Sequence, residues 1–277
     1  MMNRWGLMLV LAVVLTGCST KFVYNNIDWL LVDYLDNFVE LNDEQEDWVS
    51  KKIDRLSEWH RREEVPNYIE HLDQLIALDP KRFSEADLDV QRQLFQQHTQ
   101  RLVKQVAPAV LTFVGELSDE QAEELMDNIR VRHTRYKNKY QPLSDKQIRQ
   151  KYLEKIHDNV DDWFGYLTPE QDALIDQWSA ELSVTAYDWI DYQTDMRIEI
   201  KDLLNHRMQR GYLQSHLQSL LFNPASFYSP ELEQKIDHNQ SVANQYIVKM
   251  INSVSDKQTK HYREKLEDWK TIAQDIQ

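Results

Sequence analysis

Three observations predict an all-α fold. Apolar residues recur at three- and four-residue spacing through most of the chain. Strings of the form Leu-[Asn/Ser/Thr]-x-x-Gln punctuate it where new helices would start. Alternating Val/Ile/Thr runs closed by Asn-Gly turns are missing. Beyond residue 17 only Gly115, Gly165 and Gly211 remain as glycines, and the seven prolines fall at or near apparent helix edges. The expectation is a multi-helix elongated bundle of roughly nine to eleven helices behind a short N-terminal leader.

The leader begins with Met1 to Arg4, in which Arg4 is the one charged side chain. Trp5 to Leu15 follows as an uncharged, mostly apolar run of about eleven residues, the length of a signal-peptide core. A spanning helix needs about twenty. The run closes on Leu15-Thr16-Gly17-Cys18, which resembles the bacterial lipobox, where a signal peptidase cuts before a lipid-modified cysteine. Cys18 is the single cysteine, so no internal disulfide forms even in an oxidising compartment. Each buried acyl methylene contributes about 0.8 kcal/mol to anchoring. Ser19 occupies the position where enterobacterial lipoproteins are sorted, and by that resemblance the expected address is the outer membrane, facing the periplasm. The chain then divides into a signal peptide (1–17), a lipidated tether (18–26) and a helical periplasmic domain (27–277), with possible lobes 27–115 and 116–277.

Along that domain, Ile27, Leu30, Leu31, Tyr34, Leu35 and Phe38 share one helical face. Asp28, Asp33 and Asp36 make that helix acidic, which favours core packing over an in-plane membrane role. Leu41-Asn42-Asp43-Glu44-Gln45 reads as a capping box: a polar cap, acids at the positive helix end, and a third-position Gln reaching back to the cap. Copies follow at Leu117 to Gln121, Leu143 to Gln147 and Leu167 to Gln171, with a looser one at Val254 to Gln258. The helix after Asn42 carries Trp48, Val49, Ile53, Leu56 and Trp59, and Pro66 predicts a kink or a new start near residue 65. Tyr68 to Ile76 continue to a stop at Asp79-Pro80. Ser84 caps a helix that Pro108 should bend and Gly115 should close. Helices from Ser118 to Tyr140 and from Ser144 to Phe164 come next, with Gly165 as a C-terminal stop. One long segment is expected from Thr168 to about Gln209, interrupted by Gly211. A short helix ends at Asn223-Pro224, another starts at Ser229-Pro230, and Ser255 caps the last.

Without residues 1–17 the balance is 31 bases against 46 acids, a net charge of about −15. Nucleic-acid binding, driven by phosphate neutralisation, is a poor match for such a chain. Two surfaces stand out as candidate binding sites. The block Trp59 to Tyr68 carries Arg61 and Arg62 between Trp59 and Tyr68, and could grip a carboxylate or phosphate; a kinked helix junction with exposed Arg–Glu pairs is the favoured plain reading. Arg130, Arg132 and Arg135, with Tyr136 interleaved, form the strongest basic patch, which could meet anionic lipid or a cell-wall carboxylate. Complementing a helix C-terminus is its plain alternative. Arg197, Lys201, Arg207 and Arg210 form a weaker patch. A His-Glu-x-x-His zinc signature is missing, and only Glu154 to His157 has di-iron spacing, so neither metal nor cofactor is expected. A Gly-x-Ser-x-Gly elbow and a phosphate-binding Gly loop are missing too, and no catalytic residue is assigned.

Several pieces resemble an uncharacterised family of proteobacterial α-helical lipoproteins known as a domain of unknown function. They are Cys18-Ser19 with Tyr24-Asn25, the Trp59 to Tyr68 block, Leu117 to Gln121, Arg135-Tyr136-Lys137-Asn138 and Gly165 to Gln171. The resemblance spans most of the mature chain, departs at Val65 where members more often carry Leu, and implies an envelope lipoprotein without established catalytic residues. The Leu-[Ser/Thr]-x-x-Gln strings also resemble those of the Spy and CpxP periplasmic stress proteins, which implies chaperone-like binding. The expected function is a protein-binding or scaffolding module of the envelope, held to the membrane through Cys18. Chaperone-like binding and a peptidoglycan-active enzyme are the alternatives. Oligomeric state is not legible.

Overall fold

A computed structural model of the chain describes Tyr24 and residues 26–277; the leader, Cys18 and the tether up to Val23, with Asn25, lie outside the described residues. Among the described residues eleven α-helical segments occur and no strand. They are α1 (Ile27–Asp36), α2 (Asp43–Trp59), α3 (Val65–Ala77), α4 (Glu85–Gly115), α5 (Asp119–Tyr140) and α6 (Asp145–Phe164) in the first part of the chain. Then follow α7 (Pro169–Glu181), α8 (Ala186–Asn205), α9 (Arg210–Phe222), α10 (Pro230–Asn252) and α11 (Asp256–Ile276). The all-α expectation and its helix number hold. No described helix is long and apolar enough to cross a membrane.

Helix starts follow local chemistry. Asn42, Ser118, Ser144, Thr168 and Ser255 each accept from the backbone N–H three residues on, and each third-position glutamine returns the bond to its cap. Ser84 and Asp87 make a sixth such box. Gly165 ends α6 in the left-handed region at φ 75°, its N–H donating to Asp161 O. A Cβ there would meet the His261 ring at 3.0 Å, so two constraints favour glycine at this position.

Helix breaks depart from expectation in two places. The segment expected to run from Thr168 to Gln209 is two helices, α7 and α8, separated at Leu182–Thr185. Asn239 holds that break by accepting from Ser183 N–H (2.7 Å) and donating to Ser183 O (2.9 Å). Arg149 meanwhile donates to the free carbonyls of Ala180 (3.0 Å) and Leu182 at the end of α7. Gly211 does not interrupt a helix but lies at the second position of α9; the break is at 206–209.

The capping glutamines also pair with each other. Gln45 and Gln121 exchange Nε2–Oε1 bonds of 3.0 and 2.6 Å, joining the starts of α2 and α5. Gln171 and Gln258 do the same at 3.2 and 2.8 Å, joining α7 and α11, and both are fully buried. Gln121 also donates to Glu40 O, Gln258 to Tyr166 O and Gln171 to Ser253 Oγ. Four of the five strings are thus used two by two, to cap a helix and to dock it on another.

The largest core collects Leu41, Val49 and Ile53, Val114 and Leu117, and Leu203, Leu204, Leu213 and Leu217. Ile27, Leu31, Val32 and Leu35 of α1 pack on it. A second core joins Phe164, Ile175, Met250 and Val254, and a third Ile148, Val184 and Ala186. The first core mixes residues from both sides of Gly115, and α11 returns to lie along α3 and α6. The Trp59 to Tyr68 region is joined to the body through α4, which carries the partners of Glu64.

Candidate functional site

The junction between α2 and α3 is a π-turn, His60–Glu64, and the helix runs through it without a break. Proline explains the geometry. Pro66 has no N–H and its ring crowds the carbonyl four residues back, and the chain widens so that Val65 N–H donates to His60 O, five residues back. One extra residue in the turn shifts the helix face and carries Glu64 inward, where it is fully buried.

A carboxylate so placed needs partners, and α4 supplies them. Arg101 Nε donates to Glu64 Oε2 at 2.7 Å and Arg101 Nη2 to Oε1 at 2.8 Å, a bidentate fork. His98 Nδ1 stands 2.7 Å from Oε1. His98 Nε2 faces His71 Nδ1 at 3.1 Å, and His71 Nε2 faces Gln91 Oε1 at 2.9 Å. With Gln91 Oε1 accepting from His71 Nε2, His71 Nδ1 is left as the acceptor facing His98 Nε2, and His98 Nδ1 lies 2.6 Å from Arg101 Nη2 as well. Burial alone would push the Glu64 carboxyl up, but the bonds from Arg101 and His98 outweigh it and hold its pKa below the usual value. Burial lowers the pKa of His71 against the bond to Gln91, and lowers that of His60 against the nearby Glu64. Tyr68 is pushed far up by burial and by the Glu64 charge.

The same junction receives the tether. Tyr24 Oη lies 2.7 Å from His60 Nδ1, and its ring sits under the Arg61 guanidinium at 4.9 Å. Aromatic rings then run from Tyr24 through His60, Tyr68 and His98 to His71 and Phe95.

Of the residues singled out in the sequence, Arg61 and Tyr68 are drawn in here and Trp59 lies half-buried beside His60, while Arg62 turns to solvent and pairs with Glu63 at 2.8 Å. The basic patch on α5 is divided. Arg130 is exposed and pairs with Asp127 at 3.1 Å, and Arg135 is exposed. Arg132 stacks on Phe38 at 3.8 Å, and Tyr136 is half-buried against Tyr140. Arg207, read as part of a surface patch, is instead buried and holds Leu117 O, Leu204 O and Asp119. Among the described residues no group of three His, Cys, Asp or Glu has metal-binding geometry.

Glu64, His71, Gln91, His98 and Arg101 were not singled out by sequence. A signal existed on α4: Gln91, His98 and Arg101 interleave with Leu94 and Leu102 at core-facing spacing, the pattern of polar groups that must be partnered inside.

Fold and site together define an all-helical protein built around a buried ionic junction. Residues 34–233 match the model of a family of unknown function, DUF6279, and the chain belongs to that family. No curated protein and no solved structure matches it.

Proposed function

We propose that the chain is an outer-membrane lipoprotein, anchored through Cys18, whose helical body binds a protein partner on the periplasmic face. The observation that carries the reading is the Leu15 to Cys18 lipobox behind a one-charge, eleven-residue apolar leader. The docking of Tyr24 on His60 and Arg61 supports it, because only five residues lie between Cys18 and the first anchored side chain. Such a tether spans at most about 20 Å, which holds the α2–α3 junction near the bilayer surface. Trp29 is 62% exposed on α1 beside it and suits a membrane interface. Chaperone-like client binding has less support, since the strings that suggested it act as caps and as glutamine pairs between helices.

The test is light crosslinking of intact cells expressing the full chain or its Cys18→Ala variant, followed by membrane fractionation and lipid labelling. The reading expects label and outer-membrane location to be lost in the variant, and one discrete partner at fixed stoichiometry with the full chain. Unchanged location would overturn the anchor. A broad smear of clients would turn the binding reading towards a chaperone, and sacculus turnover by the purified protein would turn it towards an enzyme.

A further inference from the structure

Where α11 closes against α3, it leaves a cavity of about 200 Å³ between α3, α4, the end of α6, α10 and α11. Its walls are Leu75, Leu78, Phe83, Leu88, Phe95 and Tyr262, among others. Three polar side chains that reach it are already engaged. Gln91 Oε1 is bonded to His71 Nε2, Gln258 is paired with Gln171 and donates to Tyr166 O, and Thr259 Oγ1 donates to Ser255 O at 3.0 Å. Tyr262 is held protonated, its pKa pushed up to about 12 by burial against the opposing effect of Arg263. Among the described residues no charged side chain lines the cavity. At its rim Phe95 keeps 50% of its surface exposed, unusual for a ring whose neighbours are in the core.

We propose that this cavity is a binding site for an uncharged, apolar group of about eight carbon atoms, either a benzenoid ring or the end of an alkyl chain. Size sets the number: an apolar protein cavity of about 150 Å³ stays dry and takes up benzene, with six carbons. Charge sets the class. A carboxylate, phosphate or ammonium would enter without a partner and lose its hydration, whereas an apolar group leaves every existing hydrogen bond intact. Four aromatic walls, Phe83, Phe95, Phe164 and Tyr262, offer edges and faces to a ring. The site adjoins the Glu64 network through Gln91 and Phe95, which both touch His71, without including the carboxylate itself, and it is independent of the membrane anchor.

Photolabelling with 3-trifluoromethyl-3-phenyldiazirine, an uncharged ring of this size, tests it on the full-length chain in phospholipid nanodiscs. Mass spectrometry should place label on the peptides holding Phe83 to Phe95 and Ile251 to Tyr262. Excess toluene or n-heptane should remove it, and the better competitor tells ring from alkyl chain. Leu88→Phe, which fills the cavity, should lose those labels and keep any on lipid-facing residues. If circular dichroism shows that Leu88→Phe does not fold, Leu75→Phe takes its place. Should neither fold, competition on the unmodified chain decides alone. Label spread over the surface, label that resists both competitors, or equal labelling of a folded, filled variant would each overturn the proposal.

Discussion

Glu64 carries an unusual concentration of interaction for one side chain, and its energetics depend on which partner is removed. Its carboxylate is fully buried, while Arg101 keeps 38% of its side chain in water. Arg101→Ala would strand a buried charge and should cost about 3–5 kcal/mol. Glu64→Gln leaves the arginine able to hydrate and should cost less, about 1.5–3 kcal/mol. Urea unfolding of the two variants checks the order, and equal losses would contradict it. The titrating groups add a pH dependence. His133, between α5 and α8, has a pKa lowered to about 4, chiefly by burial with Arg197 adding to it, while in the unfolded chain it titrates near 6.5. Between those values the unfolded state binds more protons, so stability falls as pH drops from about 6.5 towards 4. His71 and His60, also lowered, act in the same direction. The Glu64 contribution is present above the ordinary carboxyl range and is lost below it. His133→Gln should flatten the upper part of this fall, by up to about 1.4 kcal/mol per pH unit. Urea midpoints measured from pH 4 to 7 would show it, and parallel curves for variant and parent would refute it.

At the scale of elements, identical capping chemistry has unequal weight. Gln147 closes an exposed box around Ser144 and touches no second box, whereas Gln258 closes one at Ser255 and is fully buried against Gln171. Gln147→Ala should cost about 0.5–1 kcal/mol, the value of a lost cap bond. Gln258→Ala also leaves Gln171 short of a partner in the interior and should cost about 2–3 kcal/mol more. Thermal unfolding of the pair decides, and similar midpoints would mean that the glutamine pair contributes nothing beyond capping. This contrast also marks what the sequence could reveal. Capping is local, so Asn42, Ser84, Ser118, Ser144, Thr168, Ser229 and Ser255 announced their helices within four residues. The break at Leu182–Thr185 depends on Asn239 and Arg149, each more than thirty residues away, and no local signal carries it. Glu64 stayed hidden for a similar reason. Beside Glu63 it reads as one more surface acid, and only the extra residue of the π-turn sends it inward to partners on α4. Tyr68 and Arg61 were legible as members of a dense block, but their convergence on Tyr24 was not.

For the molecule as a whole, the decisive contact is made last in the sequence. α11 lies along α3, with Arg263 donating to Ile76 O and Leu78 O at 3.2 Å and Lys270 meeting Asp73 at 2.5 Å, across most of the length of the chain. These polar contacts are largely exposed and worth little singly; the closure rests on buried Leu266, Gln258 and Ala273. Closing so long a loop costs entropy that no short-range contact repays early in folding. The α11–α3–α6 layer is therefore expected to open as one unit, separate from the core that α5, α8 and α9 share with α2 and α4. Leu266→Ala, at 3% exposure, should cost about 2–5 kcal/mol. Hydrogen exchange in that variant should accelerate together in α11, α3 and α6, and remain near the parent level in α5 and α8. The Glu64 carboxylate sits where α3 begins, so its partners on α4 should feel the opening next. Acceleration confined to α11 would show that α3 is held by α4 and the π-turn alone. A uniform increase over all helices would show a single cooperative body, in which the C-terminal helix closes nothing that the rest does not already hold.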